Sequence, residues 1–160
     1  TGCADKYLRI FEISKTHNKL ELNWILEKEH PKTVNGVSFS PDGRYIATGC
    51  GDDFLRIFEI INDHDKIELN QEPILEKGHP NSVNGVSFSP DGRYIATGCH
   101  DGFLRIFEIE NIHNKLELNL NLILENPSGV WAVSFSPDGR YIATGCGDDF
   151  LRIFEIIREN

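Results

Sequence analysis

The chain has 160 residues, 39% hydrophobic and 26% charged, a length and mix that suit one soluble domain with a core of its own. Sixteen Lys and Arg against 25 Asp and Glu give a net charge of −9, which argues against nucleic acid and anionic membranes and leaves a basic peptide or a neutral protein surface as the easier partner. No apolar run approaches the roughly 20 residues of a membrane helix, and the opening TGCADKYLRIFEI lacks the basic-then-apolar order of a signal peptide.

That opening stretch matches TGCGDDFLRIFEI at 144–156, so the chain starts in mid-repeat and without Met, which reads as a fragment of a repeat array. The first complete unit begins with an expected strand VNGVSFS (34–40), paired with RYIATGC (44–50). Between them Ser40-Pro41-Asp42-Gly43 has turn chemistry: Pro presets φ, and Gly accepts the positive φ that closes a hairpin. Gly51-Asp52-Asp53 is a second tight turn into FLRIFEI (54–60). A polar loop, NDHDK (62–66), is expected before a fourth strand within IELNQEPILE (67–76). The pattern then recurs. VSFSPDGRYIATGC starts at Val37, Val86 and Val133, and LRIFEI at Leu8, Leu55, Leu104 and Leu151. TGC at residues 1, 48, 97 and 144 gives spacings of 47, 49 and 47.

A period in the forties with four short strands per unit indicates repeat architecture. The central strands are almost continuously apolar, as expected where both faces of a sheet are covered. One such unit cannot cover both faces alone, and radial stacking of sheets around an axis does so. Cys3, Cys50, Cys99 and Cys146 fall once per repeat, too far apart for disulfides between neighbours, and form no C-x-x-C pair. They read as small reduced side chains, which points to the cytoplasm.

At KGHPNSVNGVSFSPDGRYIATGCHDGFLRIFEI (77–109) the residues resemble a WD40 repeat, through Gly78-His79, FSPDG, ATG, the turn Asp101 and an aromatic-acidic pair ending the third strand. The likeness covers essentially the whole chain. It implies an all-β fold of WD40-like β-propeller blades, each of four antiparallel strands, with an incomplete ring. A partial blade would span 1–29, full blades 30–78 and 79–125, and a partial blade 126–160. The likeness also implies a hydrogen-bonded network of His, Thr, Asp and Trp, here His30, Thr48 and Asp52 in one blade and His79, Thr97 and Asp101 in the next. Phe-Glu replaces Trp-Asp at Phe58-Glu59, Phe107-Glu108 and Phe154-Glu155, so the network ends at Thr or finds water. The third repeat, ENPSGVWAV (125–133), is two residues shorter and has no His, which leaves Asp148 without the usual partner.

A closed propeller has 4–8 blades. The expectation is therefore either head-to-tail association, two chains giving a ring of about six blades, or an excerpt from a longer propeller. The rim formed by the loop into each first strand and the turn after each second strand carries the positions that differ among repeats. These are Lys32, Asn35 and Asp53, then Asn81, Asn84 and His100, then Trp131 and Asp149. Trp131 replaces Asn35 and Asn84 and is the natural interface anchor, although it also fills space beside the shorter Asn126-Pro127-Ser128 loop.

Motifs of catalysis and nucleotide binding are missing from the sequence, so no catalytic residue, cofactor or metal is assigned. Cys99-His100-Asp101 alternates in direction along a strand, which disfavours a metal. His17, His64 and His113 recur in a polar loop and read as solvated. Arg9, Arg56, Arg105 and Arg152 are expected to cover sheet surface with their stems. The reading is a non-catalytic protein- or peptide-binding scaffold, with a self-assembling structural module as the alternative.

Overall fold

The computed structural model describes residues 1–17, 19–63, 66–113 and 115–157. Strands β1 (Tyr7–Thr16) and β2 (Lys19–Glu29) form a first, two-stranded sheet. The second sheet contains β3 (Val34–Phe39), β4 (Tyr45–Cys50), β5 (Phe54–Asp63), β6 (Lys66–Leu69) and β7 (Leu75–Gly78). The third has β8 (Val83–Phe88), β9 (Tyr94–Cys99), β10 (Phe103–Ile112) and β11 (Lys115–Glu125), and the fourth β12 (Val130–Phe135), β13 (Tyr141–Cys146) and β14 (Leu151–Glu155). Every pairing is antiparallel.

The repeated SPDG fixes the first hairpin of each sheet. Gly43, Gly92 and Gly139 take φ of 71°, 70° and 68°, a region that L side chains avoid. Ser40 Oγ donates to Asp42 Oδ1 at 2.6 Å, and the Arg44 N–H donates to the same oxygen at 3.1 Å. Tyr45 N–H then donates to Ser40 Oγ at 2.9 Å, so each polar residue of the turn closes part of it. The second turn uses the same backbone region at Lys6, Asp53, Gly102 and Asp149, with φ of 75°, 75°, 89° and 67°.

The third and fourth strands depart from expectation. The segment 62–66 is not a free polar loop: Asn62 and Asp63 continue β5, and Lys66 opens β6. His64 lies outside the described residues. Hairpins β1–β2 and β10–β11 instead have unsplit strands that run, past one bulge each at Ile25 and Asn121, to tips at His17 and His113, both exposed and both at φ 51°. In the second sheet the fourth strand is split. Two residues more separate Phe54 from His79 than separate Phe103 from Asn126, and the surplus bulges out at Asn70–Pro73. The bulge is tied down by Asn70 N–H to Glu59 O (3.2 Å) and Ile74 N–H to Ile57 O (2.8 Å). Pro73 has no N–H to offer a ladder, which keeps β6 and β7 apart.

The sheets stack face to face in sequence order, and one apolar cluster lies at each seam. Leu8 and Ile10 meet Ile46, Phe58 and Leu69. Leu55 and Ile57 meet Val83, Val86, Phe88, Ile95, Phe107 and Leu118. Leu104 and Ile106 meet Val130, Val133 and Ile142. The inner strands approach closely: a Cβ on Gly36 would lie 2.7 Å from Asn84 O, and one on Gly85 2.8 Å from Val133 N. Asn35 Nδ2 donates across the seam to Val83 O (3.2 Å) and Asn84 Nδ2 to Val130 O (3.0 Å). The result is an open arc of sheets, an incomplete propeller.

Candidate rim site

The first three sheets are each closed at the rim by one residue whose backbone N–H donates to the carbonyl of the left-handed turn residue: His30 to Lys6, His79 to Asp53 and Asn126 to Gly102, at 2.8–2.9 Å. His30 Nε2 lies 3.0 Å from Thr48 Oγ1, and His79 Nε2 lies 2.9 Å from Thr97 Oγ1. The other ring nitrogens face Lys28 O and Lys77 O at 3.2 Å, an acceptor-only group. Nδ1 therefore carries the proton and donates to the carbonyl, while Nε2 accepts from the threonine hydroxyl. Burial, the dominant cause, pushes both imidazoles below their ordinary pKa and keeps them neutral. Phe58 and Phe107 stand edge-on to these rings at 5.5 and 5.8 Å, so the aromatic member contributes a contact but no N–H.

Asp52 and Asp101 do not complete a hydrogen-bonded line with these histidines. Each carboxylate instead forms a two-pronged ion pair with the arginine four residues on. Asp52 accepts from Arg56 at 3.0 and 2.7 Å, and Asp101 from Arg105 at 3.1 and 2.6 Å. Asp148 does the same with Arg152, and Asp5 pairs with Arg9. The arginines thus act through their heads as well as their stems. Asp148 has a partner after all, and the partner is the same in every repeat. Desolvation is the largest single effect on the Asp101 carboxyl and raises it, but the bonds from Arg105, the Phe103 N–H and Cys99, with the Arg105 charge, together outweigh it and hold the group below the usual range. This pairing was readable from the sequence as an invariant D-x-x-x-R after each TGC-turn. Asn126 is the other unforeseen residue. It is 5% exposed, sends Nδ2 to Leu124 O (3.4 Å) as the histidines send Nδ1, and accepts from Cys146 Sγ at 3.6 Å.

Five of the eight candidate rim residues, Lys32, Asn35, Asn84, His100 and Trp131, lie in a groove of about 370 Å³ that Thr33, Gly51 and Ser82 also line. Trp131 is 53% exposed, and its indole meets the His100 ring edge-on at 5.2 Å. Asn35 and Asn84 form its floor, with Asn35 Nδ2 also 3.4 Å from Asn84 Oδ1. Asp53, Asn81 and Asp149 do not line this groove. Asp53 and Asp149 occupy the left-handed turn position, and Asn81 accepts locally, its Oδ1 from Ser82 N–H at 2.8 Å and its carbonyl from Cys99 Sγ at 3.1 Å. The trio Cys99-His100-Asp101 diverges accordingly: the thiol faces Asn81, the imidazole Trp131 and the carboxylate Arg105. Burial pushes the Cys50 and Cys99 thiols up, which suppresses the nucleophilic thiolate. Among the described residues no cluster of His, Cys, Asp and Glu is placed to hold a metal. A larger groove, about 530 Å³, runs between β7 and β11 and contains none of the residues singled out by repeat differences.

A profile of the WD40 family, described as WD domain, G-beta repeat, matches residues 22–59, 71–108 and 119–155. The first and third matches start in β2 and β11, the second in the Asn70–Pro73 bulge between β6 and β7, and each ends in the third strand of the next sheet. No curated protein matches the chain. With most of its length matched, and with the four-stranded antiparallel sheets, the close inner strands and the His–Thr anchors in place, the chain belongs to the WD40 family.

Proposed function

We propose that the chain is a non-catalytic scaffold that presents its rim groove to a protein or an extended peptide. WD40 repeats generally act as protein-interaction scaffolds. One observation carries the finer reading: residues that differ among otherwise identical repeats, Lys32, Asn35, Asn84, His100 and Trp131, line one groove. Framework residues are shared because every sheet needs them, and the unshared ones make this stretch of rim distinctive. Trp131 supplies a half-exposed aromatic anchor, and Asn35, Asn84 and Lys32 supply polar contacts around it. The net charge of −9 favours a partner with basic residues and disfavours nucleic acid and anionic membrane. The four free thiols, three of them buried, support a reducing, cytoplasmic setting.

A peptide library screened against the purified chain tests this. The expected result is a family of related sequences whose binding falls at least tenfold with Trp131→Ala and is unchanged with Lys19→Ala, far from the groove. Binders indifferent to Trp131 would move the site elsewhere. A second reading, self-association, is favoured by a specific observation: Leu151 and Ile153 are 68% and 64% exposed although their counterparts in the other sheets are buried.

A further inference from the structure

We propose that the open face of the fourth sheet receives the β1–β2 hairpin of a second copy of this chain, and that Trp131 and Ala132 keep a complete sheet out of that place. The proposal rests on the self-association reading and names its two surfaces.

The repeats present one face four times. Leu8 and Ile10 are 0% and 7% exposed, Leu55 and Ile57 0% and 1%, Leu104 and Ile106 1% and 7%, but Leu151 and Ile153 are 68% and 64%. The seams within the chain show what covers such a face. Phe58 and Leu69 contribute to the cover of Leu8 and Ile10, and Phe107 and Leu118 to that of Leu55 and Ile57. The corresponding residues of the first hairpin are Phe11 and Leu22, and they are 36% and 67% exposed. The two halves of one seam therefore stand unpartnered at opposite ends of the same molecule. Their union continues an interface that the chain already makes, with the same side chains. Burying apolar groups of this size is favourable in proportion to the area removed from water.

The inner strand decides which sheet can enter. At the interior seams the close approach requires Gly36 and Gly85, because a Cβ there would lie 2.7–2.8 Å from backbone atoms of the next inner strand. The fourth sheet has Ala132 at this position, so it already carries that Cβ, and it has Trp131 where Asn35 and Asn84 reach across. A complete sheet docked in the usual register would drive its inner strand into Ala132. Among the described residues, the β1–β2 sheet is the one sheet of the four with no inner strand. It brings Phe11 and Leu22 against Leu151 and Ile153 while leaving room beside Ala132 for the indole.

Two exposed-surface variants, Leu151→Asp and Leu22→Asp, test the assignment, each first checked by circular dichroism for an unchanged fold. The wild type is expected to show a light-scattering mass of two or more chains, and each variant alone the mass of one. An equimolar mixture of the two variants is then expected to show two chains, because Leu22 of one meets Leu151 of the other. A mixture that stays at one chain overturns the head-to-tail pairing. Multi-chain wild type indifferent to both variants overturns these surfaces but leaves self-association standing. Wild type at one chain throughout a dilution series ends both.

Discussion

The third and fourth sheets share the block VSFSPDGRYIATGC letter for letter, yet they are held differently. The third is anchored by a neutral buried imidazole locked between a carbonyl and a threonine, and its inner strand is thinned by Gly85. The fourth is met by the shorter Asn126, whose Oδ1 accepts from Cys146 Sγ, and Ala132 thickens its inner strand. Thr144 is as buried as Thr97, but Cys146 Sγ rather than an imidazole faces its hydroxyl, at 3.7 Å. Residues just outside the shared block thus decide how tightly a sheet is tied and what can lie against it.

The comparison can be broken most severely at His79. His79→Ala removes a buried ring and orphans the Thr97 hydroxyl, at an expected cost of about 2–4 kcal/mol in urea denaturation. Asn126→Ala, with fewer partners lost, should cost less than half of that. Gly85→Ala forces a Cβ against Val133 N and is expected to cost about 2 kcal/mol. The reverse change at the open face, Ala132→Gly, should stay within about 1 kcal/mol of wild type. Equal effects at the two positions would mean that the interior seam can relax.

Acid sharpens the contrast. His30 and His79 have lowered pKa values in the fold, so below the ordinary imidazole value near 6.5 the unfolded chain binds more protons than the folded one. Stability should fall as pH drops from about 7 toward 5, and His79→Ala should flatten that slope while Asn126→Ala leaves it. Asp101 works in a lower window. Its carboxyl is depressed, so its contribution is full above about pH 4 and is lost as pH falls through the folded value. Asp101→Asn should therefore cost about 1 kcal/mol at neutral pH and almost nothing in strong acid. The smallest expected effect is a gain. Asp53→Gly replaces a residue held at φ 75° and should raise stability by about 0.5 kcal/mol in thermal melts.

Much of the architecture was legible because its determinants are local. SPDG announces a hairpin through Pro, Asp and a glycine at positive φ, and all three copies form it. The stacking of sheets followed from strands too apolar to leave uncovered. What is harder to read depends on how a tight turn folds the chain back on itself or on the substitution of one polar group for another. The Asp–Arg pairs needed the tight turn to fold back before the i,i+4 spacing brought the heads together. Asn126 takes over the histidine's carbonyl bond with a side chain of a different class, so the absence of His looked like the absence of an anchor. The split fourth strand followed from two surplus residues and Pro73, and a length comparison of the three hairpins would have exposed it. At the rim, repeat differences picked out the groove residues Lys32, Asn35, Asn84, His100 and Trp131. They also picked out Asp53 and Asp149, whose variation reflects a backbone conformation shared with Gly102.

The break at Asn70–Pro73 has a further consequence, for colloidal behaviour. A long straight border of unpaired amides and carbonyls is a template on which foreign strands grow, and a bulge or a proline removes the template. The second sheet has both devices. The third presents β11, interrupted by a single-residue bulge at Asn121 and by no proline, and its run Leu118–Leu124 carries no charge, with Leu120, Leu122 and Ile123 about half exposed. In concentrated or warm solutions that border is the expected starting point of ordered aggregates, and a lysine gatekeeper at Asn121 would add charge to the existing bulge and slow them.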